Sequence, residues 1–192
     1  MKNKIRGVIF DLDGTLVGSK LNFKKIRQAI NCPINEDILL YVDKAEPELK
    51  RVYQEIITQH ELEEAKDATW LGDAKLFIEY LEKRQIPMAI VTRNQLSAAQ
   101  IKIKNNNIPI STLFTRDDAK AKPNPDALIQ ISKLWQLSTK DLVYVGDYKY
   151  DLFTAANADM ASALLVNGKL PDYAKEATFI IRSLNELKPY IV

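Results

Sequence analysis

The chain has 192 residues, of which 46% are hydrophobic and 27% are charged, a composition typical of one soluble globular domain or of such a domain with an insert. Its 27 basic and 25 acidic residues leave a net charge of +2, which gives no support to nucleic-acid binding. Cys32, the single cysteine, excludes an internal disulfide and favours a reducing, cytoplasmic setting, and no apolar run approaches membrane-spanning length.

Short apolar runs alternate with helical patterns along most of the chain, beginning with a run that ends at Phe10. Strands that alternate with helices are typical of βαβ units, which build a mainly parallel sheet flanked by helices. We therefore predict an α/β fold with strands at residues 5–10, 88–92, 113–115, 142–145, 162–166 and 179–181.

The segment between the first two predicted strands interrupts this alternation. From about residue 17 to residue 70 we find only helical signals, with apolar residues recurring three or four positions apart. We predict a helical insert there, with Gly18 and Gly72 as candidate hinges, although Gly72 serves equally well as a turn before a helix predicted over residues 73–85. The apolar positions of the insert are Phe23, Ile26, Ile30, Leu49, Val52, Tyr53, Ile56 and Ile57.

Two aspartates, Asp11 and Asp13, directly follow the first predicted strand, and Gly14 supplies a tight turn after them. Residues two apart on a strand share a face, so we expect the two carboxylates to lie close together. Like charges at that distance are costly unless a cation or a shared proton relieves them. Because open α/β sheets bind ligands at the carboxyl ends of their strands, this pair predicts a site.

Further polar signals follow other predicted strands: Thr92, Lys122 and the pair Asp147 and Asp151. Each alone is weak, since such residues often only form a turn, cap a helix or face solvent. Together with Asp11 they fit phosphoryl transfer through an aspartyl-phosphate, in which a carboxylate attacks phosphorus. Asp11 and Asp147 are candidates to hold Mg²⁺, with Asp151 as a further ligand or as support. The Thr92 hydroxyl and backbone N–H would donate to the phosphoryl group, and Lys122 would neutralise charge.

Four features of the chain are similar to the four motifs of the haloacid-dehalogenase-like superfamily. They are the motif DLDGT at residues 11–15, Thr92, Lys122 and the motif GDYKYD at residues 146–151. The resemblance implies a Rossmann-like core and a phosphatase that acts on a small phosphorylated metabolite. The insert resembles the small helical cap of the phosphoglycolate-phosphatase-like subfamily. This likeness implies a core of residues 1–16 and 71–192 and a cap of residues 17–70.

The same resemblance implies a role for each matching residue. Asp11 would be the nucleophile, and Asp13 would be the general acid and base. Thr92 and Lys122 would bind the transferring phosphoryl group. The implied Mg²⁺ ligands are Asp11, the backbone carbonyl of Asp13, and Asp147, with Asp151 in support.

Several further residues are candidates for substrate contact. Arg93 and Asn94 directly follow Thr92, so they lie near the phosphoryl group if Thr92 does, although Asn94 equally suits a cap of the next helix. Arg27 and His60 lie at the edges of apolar helix faces, where the pattern favours a structural role with a polar partner over contact with a ligand. The candidates are Thr15, Arg27, His60, Arg93 and Asn94.

Three other functions are compatible with parts of this pattern. A phosphosugar mutase would use the same carboxylates but return the phosphoryl group to the sugar. A receiver domain phosphorylated on aspartate also places acidic residues, a threonine and a lysine around Mg²⁺, but it lacks a helical insert after its first strand. A catalytically silent relative would only bind phosphate. The sequence leaves open the identity of the substrate and the choice between a monomer and a small homo-oligomer.

Overall fold

A computed structural model describes residues 4–192 of the chain. Its centre is one sheet in which every neighbouring pair of strands is parallel, which confirms the predicted α/β fold. In chain order the strands are β1 (Gly7–Phe10), β2 (Met88–Val91), β3 (Thr112–Phe114), β4 (Leu142–Gly146), β5 (Ala161–Leu165) and β6 (Phe179–Ile181). Their order across the sheet is β3-β2-β1-β4-β5-β6.

Helices cover both faces of the sheet and also form the insert that follows β1. The α-helices are α1 (Phe23–Ala29), α2 (Ile38–Asp43), α3 (Pro47–Ala65), α4 (Ala74–Lys83), α5 (Leu96–Asn105), α6 (Asp126–Trp135) and α7 (Lys149–Asn157). Short 3₁₀ helices lie at Thr139–Asp141, Asp172–Glu176 and Leu184–Tyr190. No helix within residues 4–192 combines the length and the apolar character that a membrane span needs.

Strand β1 lies in the middle of the sheet and is buried on both faces, because its side chains alternate between two hydrophobic cores. Val8 and Phe10 belong to the core beneath α4, where the rings of Phe10 and Phe77 meet edge to face with centroids 6.2 Å apart. Ile9 packs into the opposite core with Leu128 of α6. Since β2 and β4 flank β1, the carboxyl end of β1 lies where ligands bind in open α/β sheets.

The predicted strands are confirmed, with ends that shift by one or two residues. Ile5 lies outside β1 and forms an isolated bridge with Ile191. The helix predicted over residues 73–85 is observed at Ala74–Lys83. A strand ends where its neighbour stops pairing, and the strand's own residues do not contain that information.

The insert is helical, as predicted, and it has a small apolar core of its own around Ile26, Ile30 and Ile57. The predicted apolar stripe of α3 is only partly buried, because Leu49 and Val52 are each about half exposed. Phe23 at the start of α1 is also exposed, because it lines a cavity between the insert and the sheet.

The two chain segments that join the insert to the sheet run side by side. The backbone N–H of Gly18 donates to the Thr69 carbonyl at 2.9 Å, and Val17 and Trp70 form an antiparallel bridge. One step further, the N–H of Leu71 donates to the Leu16 carbonyl, also at 2.9 Å. We call these two hydrogen-bonded segments, residues 16–18 and 69–71, the neck.

Candidate active site

The predicted catalytic residues reach one cavity of about 660 Å³ from separate stretches of the chain. Asp11 follows β1, Thr92 follows β2 and Asp147 follows β4, so all three stand at the same edge of the sheet. The register of the strands causes this, since Phe10 pairs with residues near the ends of both β2 and β4. The predicted site residues that line the cavity are Asp11, Asp13, Arg27, Thr92, Arg93, Asn94, Lys122, Asp147 and Asp151.

Three carboxylates gather at one point of this cavity. Asp11, Asp147 and Asp151 each offer an oxygen within 4.8 Å of the others, and oxygen ligands at this spacing fit Mg²⁺. Asp151 is already engaged, because its Oδ1 accepts from Lys122 Nζ at 2.7 Å and its Oδ2 accepts from the Tyr148 N–H at 3.0 Å. Asp11 and Asp147 are therefore better placed than Asp151 to bind a cation directly.

The carboxylate cluster carries more negative charge than its one lysine neutralises. Burial, reinforced by Asp151 and Asp147, raises the pKa of Asp11 to about 8, although Lys122 opposes the rise. Burial and the charge of Asp151 raise the pKa of Asp147 to about 7. Burial alone would lower the pKa of Lys122, but Asp11 and Asp151 raise it above its ordinary value. A divalent cation would relieve this excess of negative charge, which is a second reason why these residues fit Mg²⁺.

The Asp11 carboxylate is held in one orientation by two donors. Its Oδ1 accepts from the Leu12 N–H at 2.7 Å and lies 2.9 Å from Lys122 Nζ. Lys122 is itself buried, and its Nζ lies 5.6 Å from the centroid of the Tyr144 ring. The Tyr144 hydroxyl donates to the Val91 carbonyl at 2.9 Å, so the ring beneath Lys122 is fixed as well.

Asp13 is held on both carboxylate oxygens by residues that follow β2. Lys102 Nζ lies 2.5 Å from Oδ1, and the Asn94 amide donates to Oδ2. Among the residues that the structure describes, no backbone N–H donates to the Asp13 carbonyl, which leaves this oxygen to bind a cation. Lys102 is not among the residues predicted from sequence. The helical spacing could have indicated it, since Lys102 lies three and four residues after Ala99 and Ala98 and shares their buried face of α5. A lysine on such a face needs a charged partner.

Thr92 is buried beside the carboxylates, but only its side chain is available to a ligand. Its backbone N–H donates to the Phe114 carbonyl at 2.9 Å, so the prediction that this N–H binds a phosphoryl group is wrong. Thr92 Oγ1 accepts from the N–H and the side-chain amide of Asn94, which leaves the hydroxyl proton free to donate. Asn94 does not cap α5, because Gln95 occupies that position and accepts from the Ser97 N–H.

Arg27 lines the cavity and also organises the loop after α1. One guanidinium nitrogen, Nη1, donates to the carbonyls of Pro33 and Glu36, both at 2.7 Å, and contacts the Cys32 sulfur at 3.2 Å. Cys32 is a buried free thiol, in keeping with the absence of an internal disulfide. Arg27 thus has the structural role that its sequence pattern favours, and it also lines the cavity.

Two of the predicted substrate contacts lie away from the cavity. Thr15 is fully buried, and its hydroxyl has no hydrogen-bond partner among the described residues. His60 lies on α3 and lines a separate shallow groove together with Val52 and Ile56. The structure therefore does not bring Thr15 or His60 to the cavity that holds the carboxylates.

Ion pairs join the insert to the rest of the molecule across the cavity and beside it. In each pair the insert contributes the carboxylate and the sheet side contributes the cation. All six side chains are largely shielded from solvent, and breaking one partner of such a pair is costly because the other is left unpaired. The pairs are Arg93–Asp37, Lys102–Glu64 and Arg116–Glu61.

Gly14 keeps the carboxylate cluster intact, which leads to a testable prediction. Its φ of +73° is left-handed, and a Cβ at this position would collide with the Asp147 carboxylate. We expect Gly14→Ala to lower activity on the order of 10²-fold, because displacement of Asp147 would misplace a cation held by this carboxylate cluster. Measurement of kcat and of unfolding free energy checks this.

Gly168→Ala is the matched control, because Gly168 also has a positive φ, +100°, but no atom lies within 4 Å of its added Cβ. Both variants should lose about 1–2 kcal/mol of stability from backbone strain. Equal activity in the two variants would show that the collision with Asp147 has no effect.

Residues 18–165 match the sequence model of the haloacid dehalogenase-like hydrolase family. The chain is 25% identical to a haloacid dehalogenase-like hydrolase domain-containing protein of Arabidopsis thaliana, over 96% of this chain and 85% of that protein. It is 26% identical to hexitol phosphatase A of Escherichia coli, over 75% of each. Its fold is similar to that of a hydrolase from Pseudomonas syringae, with a TM-score of 0.81 and 21% identity over 96% of this chain and 97% of that one. The chain therefore belongs to the haloacid dehalogenase-like hydrolase family.

Proposed function

We propose that this protein is a Mg²⁺-dependent phosphatase that hydrolyses a small phosphorylated metabolite through a phosphorylated form of Asp11. The observation that carries the proposal is the convergence of Asp11, Asp13, Lys122 and Asp147 on one cavity. The name of the Escherichia coli relative, a hexitol phosphatase, supports this reaction class. Hydrolysis of phosphate monoesters requires accelerations of up to about 10²¹, and a site dense in fixed charges is suited to supply them.

Asp11 is the proposed nucleophile. Its carboxylate is held in place by the Leu12 N–H and Lys122, which both contact Oδ1, and one of its two oxygens attacks phosphorus. The bond from phosphorus to the leaving oxygen breaks as the bond to Asp11 forms, and an acyl phosphate results. Water then attacks the same phosphorus, which releases inorganic phosphate and restores the Asp11 carboxylate.

Asp13 is the proposed proton carrier for both steps. Its carboxyl group gives a proton to the leaving oxygen in the first step, and its carboxylate takes a proton from water in the second. It lines the cavity with Asp11, and its side chain is 23% exposed, so substrate and water both have access to it. Proton transfer by such a group typically contributes 10²–10⁴-fold, roughly, to the rate.

The remaining charges of the site act on the transferring phosphoryl group. Lys122 neutralises part of its negative charge, and the Thr92 hydroxyl donates to one of its oxygens. Mg²⁺ held by Asp11, Asp147 and the Asp13 carbonyl would supply further charge stabilisation when bound. Asp151 supports the site by fixing Lys122 through the 2.7 Å contact to its Nζ.

We assign residues 17–70 to a cap and residues 1–16 and 71–192 to a core, with the neck as the hinge between them. The cap supplies an apolar wall to the cavity that includes Phe23 and Ile34, which are 58% and 82% exposed. Tyr148 and Tyr150 line the core side, with ring centroids 5.4 Å apart. The leaving group of the substrate would therefore meet apolar and aromatic side chains.

A panel of phosphorylated metabolites tests the proposed function. We expect the wild-type protein with excess Mg²⁺ to release inorganic phosphate from at least one member and to yield an equal amount of dephosphorylated product. Hexose phosphates in the panel separate hydrolysis from mutase activity, since a mutase isomerises them without net phosphate release. Absence of both reactions, with p-nitrophenyl phosphate included, would contradict an enzymatic role and favour a phosphate-binding module.

A further inference from the structure

Lys102 is a fully buried cation to which the proposed mechanism gives no role. Its Nζ lies 2.5 Å from Oδ1 of Asp13, 2.6 Å from Oε2 of Glu64 and 3.4 Å from Oδ1 of Asn94. Burial alone would lower the pKa of Lys102, but the carboxylates of Asp13 and Glu64 raise it above its ordinary value. The side chain therefore keeps its charge although none of its surface reaches solvent.

Glu64 reaches Lys102 from the insert. It lies in the last turn of α3, and its second oxygen, Oε1, accepts from the Lys20 N–H at 2.9 Å just beyond the neck. Helix α3 packs directly against α5, which carries Lys102. The contact between Lys102 and Glu64 consequently depends on the packing of the insert against the core.

We propose that Lys102 is a positioning residue for Asp13 and that Glu64 holds Lys102 in place, so that docking of the cap fixes the orientation of the proton carrier. The proposal rests on the proposed function, because it takes Asp13 as the general acid and base. Asn94 binds the other oxygen of Asp13, so the two contacts together restrain the plane of the carboxyl group. Displacement of a catalytic group by about 1 Å can cost on the order of 10²-fold in rate.

The placement of Lys102 distinguishes this role from simple packing. Asp13 lines the cavity, whereas Lys102 is not among the cavity-lining residues and contacts Asp13 from the protein interior. Asp13 thus stays accessible to substrate from the cavity, while Lys102 holds its carboxylate from the protein interior. A lysine that served only the core would not need a partner at the edge of the cavity, since an apolar residue of similar volume fills a core equally well.

The test compares kcat/KM for phenyl phosphate, whose poor leaving group needs a proton donor, with kcat/KM for p-nitrophenyl phosphate, whose good leaving group does not. We expect Lys102→Met to lower kcat/KM for phenyl phosphate on the order of 10²-fold. We expect it to lower kcat/KM for p-nitrophenyl phosphate only about tenfold. Glu64→Gln should also lower kcat/KM more for phenyl phosphate than for p-nitrophenyl phosphate, but by a smaller factor than Lys102→Met. A decrease in the folded fraction lowers both values equally, so the ratio reports the position of Asp13.

Exposed neighbours on the same helices provide the controls. Lys104→Met on α5 and Glu63→Gln on α3 remove the same charges at exposed positions, and neither should change the ratio. If Lys102→Met does not fold, Glu64→Gln decides the question, because it leaves the pair of Lys102 and Asp13 in place.

A double variant tests whether Lys102 acts through Asp13. Added to Asp13→Asn, the Lys102→Met change should lower kcat/KM for phenyl phosphate little further, because the group that Lys102 positions is already lost. Additive losses, or equal losses for the two aryl phosphates in Lys102→Met, would overturn the role of Lys102 while the proposed function stands. A wild-type protein inactive on both substrates and on the metabolite panel would instead remove the proposed function and this role with it.

Discussion

Replacement of Asp11 by asparagine is expected to abolish phosphate release while the protein stays folded. We expect kcat to fall on the order of 10⁴-fold or more, because a carboxamide cannot attack phosphorus and only binding and charge stabilisation remain. The fold should survive, since burial and neighbouring carboxylates raise the pKa of Asp11 and a neutral side chain of the same shape relieves that cost. Lys122 keeps Asp151 as its partner.

Initial rates of phosphate release, together with thermal unfolding without Mg²⁺, measure the two effects of Asp11→Asn. Asp126→Asn is the control, because Asp126 is exposed at the start of α6 and lies outside the cavity lining, so full activity is expected. Acid quenching during turnover should also reveal a phosphorylated wild-type protein by mass and no such species in Asp11→Asn. Activity of the variant within tenfold of the wild type would show that another group attacks phosphorus.

Removal of Mg²⁺ by EDTA is the second large effect that we expect. A metal ion at such a site supplies several kcal/mol of transition-state stabilisation, so activity should fall on the order of 10³-fold and return when Mg²⁺ is added in excess. The apparent affinity for Mg²⁺ should rise with pH, because the pKa of Asp11 is about 8 and that of Asp147 is about 7. Below pH 7 protons compete with the cation for both carboxylates.

The same carboxylates determine the sign of the pH dependence of stability. The metal-free folded protein binds protons on Asp11 and Asp147 more tightly than the unfolded chain, in which the pKa of such groups is about 3.8. Its unfolding free energy should therefore decrease as the pH rises from about 4 to about 8, and Mg²⁺ should restore it at the upper end.

Thermal unfolding with and without Mg²⁺, at pH 6 and at pH 8.5, measures this linkage. We expect the Mg²⁺-induced rise in Tm to be larger at pH 8.5, and we expect Asp147→Asn to abolish it. A rise that is larger at pH 6 would mean that the cation does not bind to these two carboxylates.

The sheet was predictable from sequence because its central strands are buried on both faces. Such strands appear as short continuous apolar runs, and β1 and β4 both show this pattern. The exposure of the insert was less predictable. Apolar residues at helical spacing look alike whether they face a core, as Ile30 does, or a cavity, as Phe23 does.

Part of the candidate site was predictable from the strand topology, and part of it depends on how the helices pack. Asp11, Asp13 and Asp147 follow strands directly, so the topology alone brings them to one edge of the sheet. The partners Lys102 and Glu64 come from helices far apart in the chain, and only the packing of α3 on α5 brings them together. The Thr92 N–H was misassigned for a related reason, since β3 supplies its acceptor.

In the division into cap and core that we propose, the neck restricts how the cap moves relative to the core. Two connections that exchange hydrogen bonds have fewer free backbone torsions than two independent linkers of the same length, so the ordering entropy is lost once, when the chain folds. Swivelling about this doubled hinge remains feasible, whereas sliding would break both connections at the same time. In the mechanism that we propose, each closure of the cap on the core should therefore end in the same alignment, with little further entropy to lose.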